Sequence, residues 1–313
     1  NFGSYHNFLK KNESRYNVEL TSNQEKFLEF ISKKIVVGKR PHELILLKIL
    51  LSNDNEIFSK LSHELKLKYN ILLSEIEKNN IFNIMTSNFI QGTGKDAFKD
   101  CIFLEEDLSL EFKEVKISKK FKKGLGNQEF RNALTDLIQY GLKRNAKDFG
   151  ERYKDTNFQL YQKYTYEDVC QLLNWEKGIV AQNIGGYKYD EKTNTYPVFI
   201  NYHKEEDISD TIKYEDRFIS PQELIAISKS RRKLSSKDVV QALNAKQLGI
   251  EMHLFVRKNK DDNESKEFYY LGFIEATGEA KEIVMGDTGQ SAVEIHYKLE
   301  TPVREDIYSY ITN

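Results

Sequence analysis

At 313 residues and 36.7 kDa the chain exceeds the roughly 100 to 200 residues of a single domain, so two domains are expected. Its 47 Lys and Arg against 48 Asp and Glu leave a net charge of −1, which excludes a uniformly basic coat for nucleic acid and an acidic solvating tail. With 39% hydrophobic residues, including 18 Tyr and 19 Phe, and only 4 Pro and 16 Gly, the chain can build packed cores and is neither disordered nor collagen-like.

The first residue is Asn1 rather than Met, and no signal-peptide order of basic, apolar and small residues follows, which suggests a piece of a longer polypeptide. From Leu20 to about Leu160 the apolar spacing is mostly helical. Thr21 or Ser22 can cap a helix, with Gln24 or Glu25 completing a capping box and Phe27, Leu28, Ile31 and Ile35 on one face. Gly38 ends that helix, and Pro41 opens another through Leu44, Leu47 and Leu51. Later helices are expected from about Glu56 to Leu67, Tyr69 to Lys78, Gln128 to Lys143 and Thr165 to Leu173. Short helices need each other's apolar faces, so residues 1–160 read as a helical bundle.

Beyond about Asn174 the texture changes to alternation and turns. Gly185-Gly186-Tyr187-Lys188-Tyr189, a turn over Asp190 to Thr195, and Tyr196 to Tyr202 read as a β-hairpin. A polar, partly helical insertion is expected over Ser220 to Leu248. Strands should follow at Glu251 to Lys258, Glu267 to Ala276 and Ala292 to Glu300, with Asp261-Asp262-Asn263 and Gly286 to Gly289 as turns. The fold class is therefore α+β, with the helical bundle followed over 161–313 by a small, mostly antiparallel, strongly bent sheet or barrel with flanking helices.

Catalytic signatures are incomplete. Gly92-Thr93-Gly94-Lys95-Asp96 lacks the spacer between glycines and the Ser or Thr after Lys that a phosphate loop requires. His296-Tyr297-Lys298 begins like the motif of phospholipase-D-type nucleases, but Val303 stands where Asp is needed. Glu111-Phe112-Lys113 and Glu114-Val115-Lys116, with Asp107 upstream, imitate a metal-dependent nuclease, although such triplets arise by chance in a chain so rich in charge. The six histidines, His253 in a strand among them, sit in no triad context. Cys101 and Cys170 form neither a disulfide framework nor a zinc pattern, and together with the absence of a 20-residue apolar run they favour a cytoplasmic protein without membrane span, cofactor or metal.

Binding features are better represented. Ser228 to Lys237 holds five basic residues, Lys229, Arg231, Arg232, Lys233 and Lys237, with four serines and no acid, as phosphate contact requires. Lys113 to Lys123 carries six Lys against one Glu, so Lys119, Lys120, Lys122 and Lys123 suit diffuse phosphate attraction, or else the stretch is a linker. Tyr187, Tyr189 and Tyr270 are candidates for stacking on an unpaired base, although alternation requires about half of the strand aromatics to face the core. Trp175 reads as core.

Tyr164 to Trp175, Asn183-Ile184-Gly185-Gly186-Tyr187-Lys188-Tyr189-Asp190 and Pro197 to Lys204 resemble a C-terminal bacterial domain of unknown function. Tyr214 to Ser220, Ser228-Lys229-Ser230-Arg231, His253 to Val256, Phe268 to Gly272 and Pro302-Val303 extend the likeness across about Tyr161 to Tyr310. In that family the domain ends proteins that look like restriction or phage-defence factors, with a phospholipase-D-type nuclease and a DEAD/DEAH-box helicase upstream. The helical half, with Leu20 to Gln24 and Gly38 to Leu44, looks like their connecting region.

The resemblance implies a module that serves a DNA-cutting helicase-nuclease, with DNA and the parent's helicase and nuclease regions as partners, and a curved β domain with a basic, hydroxyl-rich loop and aromatics reads as a non-catalytic reader of DNA sequence or a modified base. By fold-level analogy it is a barrel like those of bacterial readers of modified DNA. Lys229, Ser230, Arg231, Arg232 and Lys233 would meet phosphates or a groove, and Arg217 either a base edge or a structural ion pair. Two alternatives stand beside this reading. One is a protein-interaction module docking on the helicase or sensing a phage protein; the other is a cryptic nuclease using Glu111 and Lys113.

Overall fold

The computed structural model describes residues 5–13, 18–52, 56–107, 114–203, 216–259, 266–286 and 288–312. Two units are formed, Asn1–Glu151 with Cys170–Gly178, and Arg152–Val169 with Ile179–Asn313. The division falls ahead of the expected seam at Gln159 to Tyr164, because Tyr153 and Phe158 already pack on Tyr270 of the second unit. The chain then returns to the first unit for Cys170–Gly178.

The first unit is helical with one small hairpin. Its elements are α1 (Tyr5–Asn12), α2 (Ser22–Phe30) running into a π turn (Ile31–Ile35), α3 (His42–Leu51), α4 (Ile57–Tyr69), α5 (Glu75–Met85), α6 (Thr93–Phe98), β1 (Leu104–Asp107), β2 (Glu114–Ile117), α7 (Lys119–Gly124) and α8 (Gln128–Asp148). Thr21 and Gln24 close the expected capping box on α2, since the Thr21 amide donates to Gln24 Oε1 at 2.9 Å and the Gln24 amide to Thr21 Oγ1 at 3.4 Å. Asn70 takes a left-handed φ of 53° and stops α4, so the helix expected from Tyr69 begins only at Glu75, where Ser74 and Glu77 form a second box. Every residue of α3 except Lys48 and the half-buried Leu51 is buried, which makes it the central helix. Gly141 of α8 lets it approach closely; a Cβ there would stand 2.7 Å from Leu44 Cδ2.

The lysine-rich stretch ending at Lys123 is ordered structure rather than a linker. Glu114–Ile117 pairs antiparallel with Leu104–Asp107, Ser118 caps α7, and Phe121 is buried edge-on against Phe27 at 5.0 Å. Glu111 and Lys113, the nuclease candidates, lie outside the described residues, as do the turn at 261–263 and Asp287.

Arg40 is the buried polar hub of this unit. Its guanidinium donates to Glu43, to Asn80 Oδ1 at 2.5 Å, to the Gln171 carbonyl at 3.1 Å and to Asn174 Oδ1 at 2.7 Å. Asn80 in turn donates to the Trp175 carbonyl at 2.6 Å. Both members of the Arg40–Glu43 pair are almost fully buried, so each is tolerable only with the other present.

The second unit contains β3 (Lys163–Tyr164), α9 (Tyr166–Leu172, whose end belongs to the first unit), α10 (Ala181–Ile184), β4 (Thr195–His203), β5 (Arg217–Ser220), β6 (Glu223–Ile227), α11 (Lys237–Leu243), β7 (Glu251–Asn259), β8 (Phe268–Val284), β9 (Ser291–Leu299) and α12 (Glu305–Thr312). The strands form a sheet ordered β4-β7-β8-β9-β6-β5, with β3 also on β8. Only β4 and β7 are parallel in it. The early part of β8 pairs with β7 and the later part with β9, with register shifts at Leu254/Phe255 and Ala276/Ala280. Such irregularities bend strands, and the sheet curls into a half-barrel.

Alternation divides the side chains. Tyr196, Val198, Ile200, Leu254, Val256, Ile295 and Tyr297 form one core with Val239 and Ala242 of α11 and Ile307 and Ile311 of α12. Phe199, Phe255 and Tyr270 join Phe158 and Tyr164 in a separate aromatic cluster. The insertion expected over Ser220 to Leu248 is corrected in its first part, since Glu223–Ile227 is a buried sheet strand paired with β9. The hairpin exists as two bridges, Tyr187 to Val198 and Asp190 to Thr195, rather than a full ladder. Gly185 and Gly186, at φ 54° and 89°, turn the backbone away from regular pairing.

Arg40→Ala should lower the stability of the helical unit by about 3 to 5 kcal/mol, because it strands Glu43 as a buried charge. Denaturant unfolding followed by the fluorescence of Trp175, which Asn80 ties to the same network, measures this directly. A loss below about 1 kcal/mol would show that the network is not what holds Gln171–Trp175.

Candidate nucleic-acid interface

The Ser228 to Ser236 loop joins β6 to α11 and is held from several sides. Ser228 is buried, and its hydroxyl accepts the Val293 amide at 2.8 Å. The Arg231 amide donates to the Ser291 carbonyl at 2.6 Å, and the Leu234 amide to Glu282 Oε1 at 2.9 Å. Arg231 itself sits at φ 64°, a left-handed conformation that costs an arginine about 1 to 2 kcal/mol and must be imposed by these anchors. The loop's backbone is therefore fixed by the far halves of β8 and β9.

Beside the loop lies a pocket of about 110 Å³. The Tyr187, Tyr196 and Tyr297 rings, the apolar Val198, Ile200 and Ile295, and the carboxylates of Asp216 and Asp238 contribute to its wall. Tyr187 and Tyr196 stack at 5.5 Å with 18° between their planes. The Tyr187 hydroxyl donates to Asp238 Oδ2 at 3.0 Å and accepts the Lys229 amide at 3.1 Å, while the Tyr196 hydroxyl donates to the Asp238 carbonyl at 3.1 Å. Burial raises the pKa of the Tyr187 and Tyr196 phenols, so both stay protonated donors. Burial also works to raise Asp238, but the hydrogen bonds from Arg232 and Tyr187 outweigh it and hold the carboxyl low and ionised. The Asp216 carboxylate accepts the Ile227 amide at 2.7 Å.

The expected contact residues now separate. Arg231 and Lys233 are exposed, and among the described residues their side chains have neither an ion pair nor a hydrogen bond. Ser230 is exposed with its hydroxyl 3.8 Å from Met285 Sδ. Arg232 donates to Asp238 Oδ2 at 2.6 Å, which makes it a strut of the pocket. Lys229 reaches the pocket, its Nζ 4.6 Å from the centre of the Tyr187 ring. Arg217 stands in an ion pair with the buried Glu294 at 3.5 Å, the structural one of its two expected roles.

Tyr187 belongs to the pocket, and Tyr189 is half-buried with its hydroxyl on Asn194 at 2.7 Å. Tyr270 is corrected. Its place on β8 turns the ring into the aromatic cluster, where it is fully buried and 4.7 Å from Phe158, so it can stack on no ligand. His253 is likewise buried, with Nδ1 3.2 Å from the Tyr270 hydroxyl. Lys119, Lys120, Lys122 and Lys123 are exposed on α7 of the first unit, with Lys120 4.0 Å from Asp100.

Sequence reasoning missed Asp238 and Asp216 as wall residues. Asp238 follows the basic run by one residue and opens α11, a position at which an acid ordinarily serves the helix end alone. Of Gly92 to Asp96, the incomplete phosphate loop, Gly92 caps α6 and the rest lies within that helix. Among the described residues no three or more His, Cys, Asp or Glu are grouped to hold a metal ion, and no helix is long and apolar enough to cross a membrane.

Residues 158–311 match a family model described as a domain of unknown function, DUF3427, and residues 1–148 match another so described, DUF8090. No curated protein matches the chain. Among solved structures it is similar to the SUVH5 SRA–hemi-methylated CG DNA complex, at 11% identity over 47% of this chain and 91% of that one, with a TM-score of 0.32. It is similar also to KRYPTONITE in complex with mCHG DNA and SAH, at 8% identity over 55% of this chain and 38% of that one, with a TM-score of 0.31. Arabidopsis thaliana SUVH6 in complex with SAM gives 13% identity over 59% of this chain and 34% of that one, with a TM-score of 0.32.

Tyr187→Phe should destabilise the second unit by about 1 to 3 kcal/mol, because the Lys229 amide loses its acceptor and Asp238 a donor. Thermal unfolding with and without the substitution tests it. An unchanged midpoint would mean that the hydroxyl carries no share of the pocket's rigidity.

Proposed function

We propose that the second unit is a non-catalytic DNA-reading module that takes one extruded base into the Tyr187–Asp216–Asp238 pocket and grips the flanking backbone with the 228–236 loop. The observation that carries this reading is the pairing of two features on one rigid loop, exposed cations without acids and an aromatic pocket on the scale of a single ring. Its volume of about 110 Å³ is smaller than the roughly 150 Å³ cavity that holds a benzene molecule, so it has room for no more than one small ring, part of which stays at the mouth. A pocket can take in a base of a duplex only once that base has left the stack, and the cost of a few kcal/mol is met by aromatic contact and by hydrogen bonds to the base edge. The Tyr187, Tyr196 and Tyr297 rings offer the base an aromatic wall. The Asp216 and Asp238 carboxylates are acceptors, the partner type for an exocyclic amino group.

Arg231 and Lys233 supply the sequence-independent part, since neutralising phosphates releases counterions and gives the salt dependence of nucleic-acid binding. The exposed lysines of α7, of which Lys120 stands 4.0 Å from Asp100, suit the same attraction. Service to a helicase and nuclease in a restriction or phage-defence protein is part of the proposal and rests on the sequence resemblance.

The test is a titration of the chain against duplexes that differ at one base, modified or unmodified, at two salt concentrations. Arg231→Ala with Lys233→Ala should weaken binding to every duplex alike and reduce the salt slope by about one for each phosphate no longer neutralised. Asp216→Asn, which keeps an acceptor for the Ile227 amide, should instead shrink the preference between duplexes and leave the slope alone. Equal, weak binding to all duplexes, untouched by either change, would overturn the reading in favour of a protein-docking module.

A further inference from the structure

Lys229 is the one cation of the 228–236 loop that lies against the pocket without an acid to answer it. Arg232 takes Asp238, and Lys237, at the start of α11, takes Glu191 at 3.1 Å. Among the described residues the Lys229 ammonium has no carboxylate within 4.0 Å and no hydrogen-bond acceptor, although the side chain is half-buried. Its seat is built. The Gly185-Gly186 turn leaves its stem room, since a Cβ on Gly185 would already touch Lys229 Cε at 3.4 Å, and the ammonium rests 4.6 Å from the Tyr187 ring centre. Burial lowers its pKa against the opposing pull of Asp238, its strongest charged neighbour, with Arg232 and Lys188 adding to the lowering. A half-desolvated ammonium that makes no hydrogen bond and no ion pair within 4.0 Å gains from any acceptor that a ligand brings.

We infer that Lys229 makes this pocket selective for a pyrimidine bearing an oxygen-containing substituent over the same pyrimidine bearing a methyl group. The inference rests on the reading that the pocket takes an extruded base. A methyl group placed against the ammonium would deepen its desolvation and return nothing. A hydroxyl or carbonyl oxygen would accept a charge-assisted hydrogen bond, the stronger class of such bonds. Acceptors on the ring itself are the same in the two pyrimidines compared and cannot create the preference, so the substituent is what Lys229 distinguishes. Lys229 is thus a specificity-determining residue beside the carboxylates.

The experiment compares binding of the full chain to three duplexes identical except for one cytosine, unmodified, 5-methylated or 5-hydroxymethylated, by fluorescence anisotropy. The hydroxymethyl duplex should bind about tenfold more tightly than the methyl duplex, the scale of one hydrogen bond to a charged group. Lys229→Met should erase that difference with methyl affinity equal or improved, and Lys229→Gln, which keeps a neutral donor, should fall between. Unchanged thermal unfolding in both variants secures the comparison. The inference is overturned if the wild type binds methyl as well as hydroxymethyl, or if Lys229→Met weakens all three duplexes equally, the signature of a phosphate or ring contact. Should the three duplexes be indistinguishable and Asp216→Asn also have no effect, the base-pocket reading itself falls. A missing preference with an Asp216→Asn effect intact would remove only the role of Lys229.

Discussion

The Asp238 carboxylate is the constraint on which the candidate interface depends. It accepts from the Tyr187 hydroxyl and from Arg232, and the Tyr187 hydroxyl accepts the Lys229 amide, so one ionised group joins the glycine turn, the basic loop and the start of α11. Hydrogen bonds to an ionised acceptor are worth about 1.5 to 3 kcal/mol, against about 1 for neutral pairs. The pocket wall is therefore held by fixed donors and does not have to assemble around a ligand. Pre-organisation of this kind removes part of the ordering cost of binding, and it matters most where the ligand must first be pulled from a stack.

The curl of the sheet sets where that wall stands. Because β8 serves β7 with its first half and β9 with its second, the sheet turns about a single strand, and the far halves of β8 and β9 extend to meet the 228–236 loop. The anchors at Ser291, Val293 and Glu282 all come from this extension. They impose the left-handed backbone at Arg231, a strain that a solvated, unanchored loop would relieve. The anchors fix the Arg231 backbone while its side chain stands exposed, without an ion pair or hydrogen bond among the described residues.

Legibility in the sequence followed the locality of the forces. The capping box at Thr21 and Gln24, the strands at Glu251 and Ala292, and the turn over Asp190 to Thr195 were readable because each depends on neighbours in the chain. The strand Glu223–Ile227 was hidden, since its apolar run is short and only pairing with β9 makes it a sheet strand. The same distinction divides the site. The basic run was visible as composition, but the assignment of each charge was not, because Asp238 beside Arg232 and Glu294 beside Arg217 are tertiary facts. Tyr270 failed as a stacking residue because alternation says that one face is buried without saying which.

Those pairings also change the meaning of a net charge of −1. A paired cation contributes little to a distant phosphate, since its field is largely cancelled within a few ångströms and screened beyond about 10 Å. Arg217, Arg232, Lys237 and Lys281 each stand within ion-pair distance of an acid, whereas Arg231 and Lys233 stand exposed without one among the described residues and Lys229 lies half-buried without one. Three cations without an ion pair within five residues, on an anchored backbone, form a local field that the whole-chain total conceals. The loop therefore carries a local positive field, with two of its charges exposed and the third half-buried against the pocket beside it.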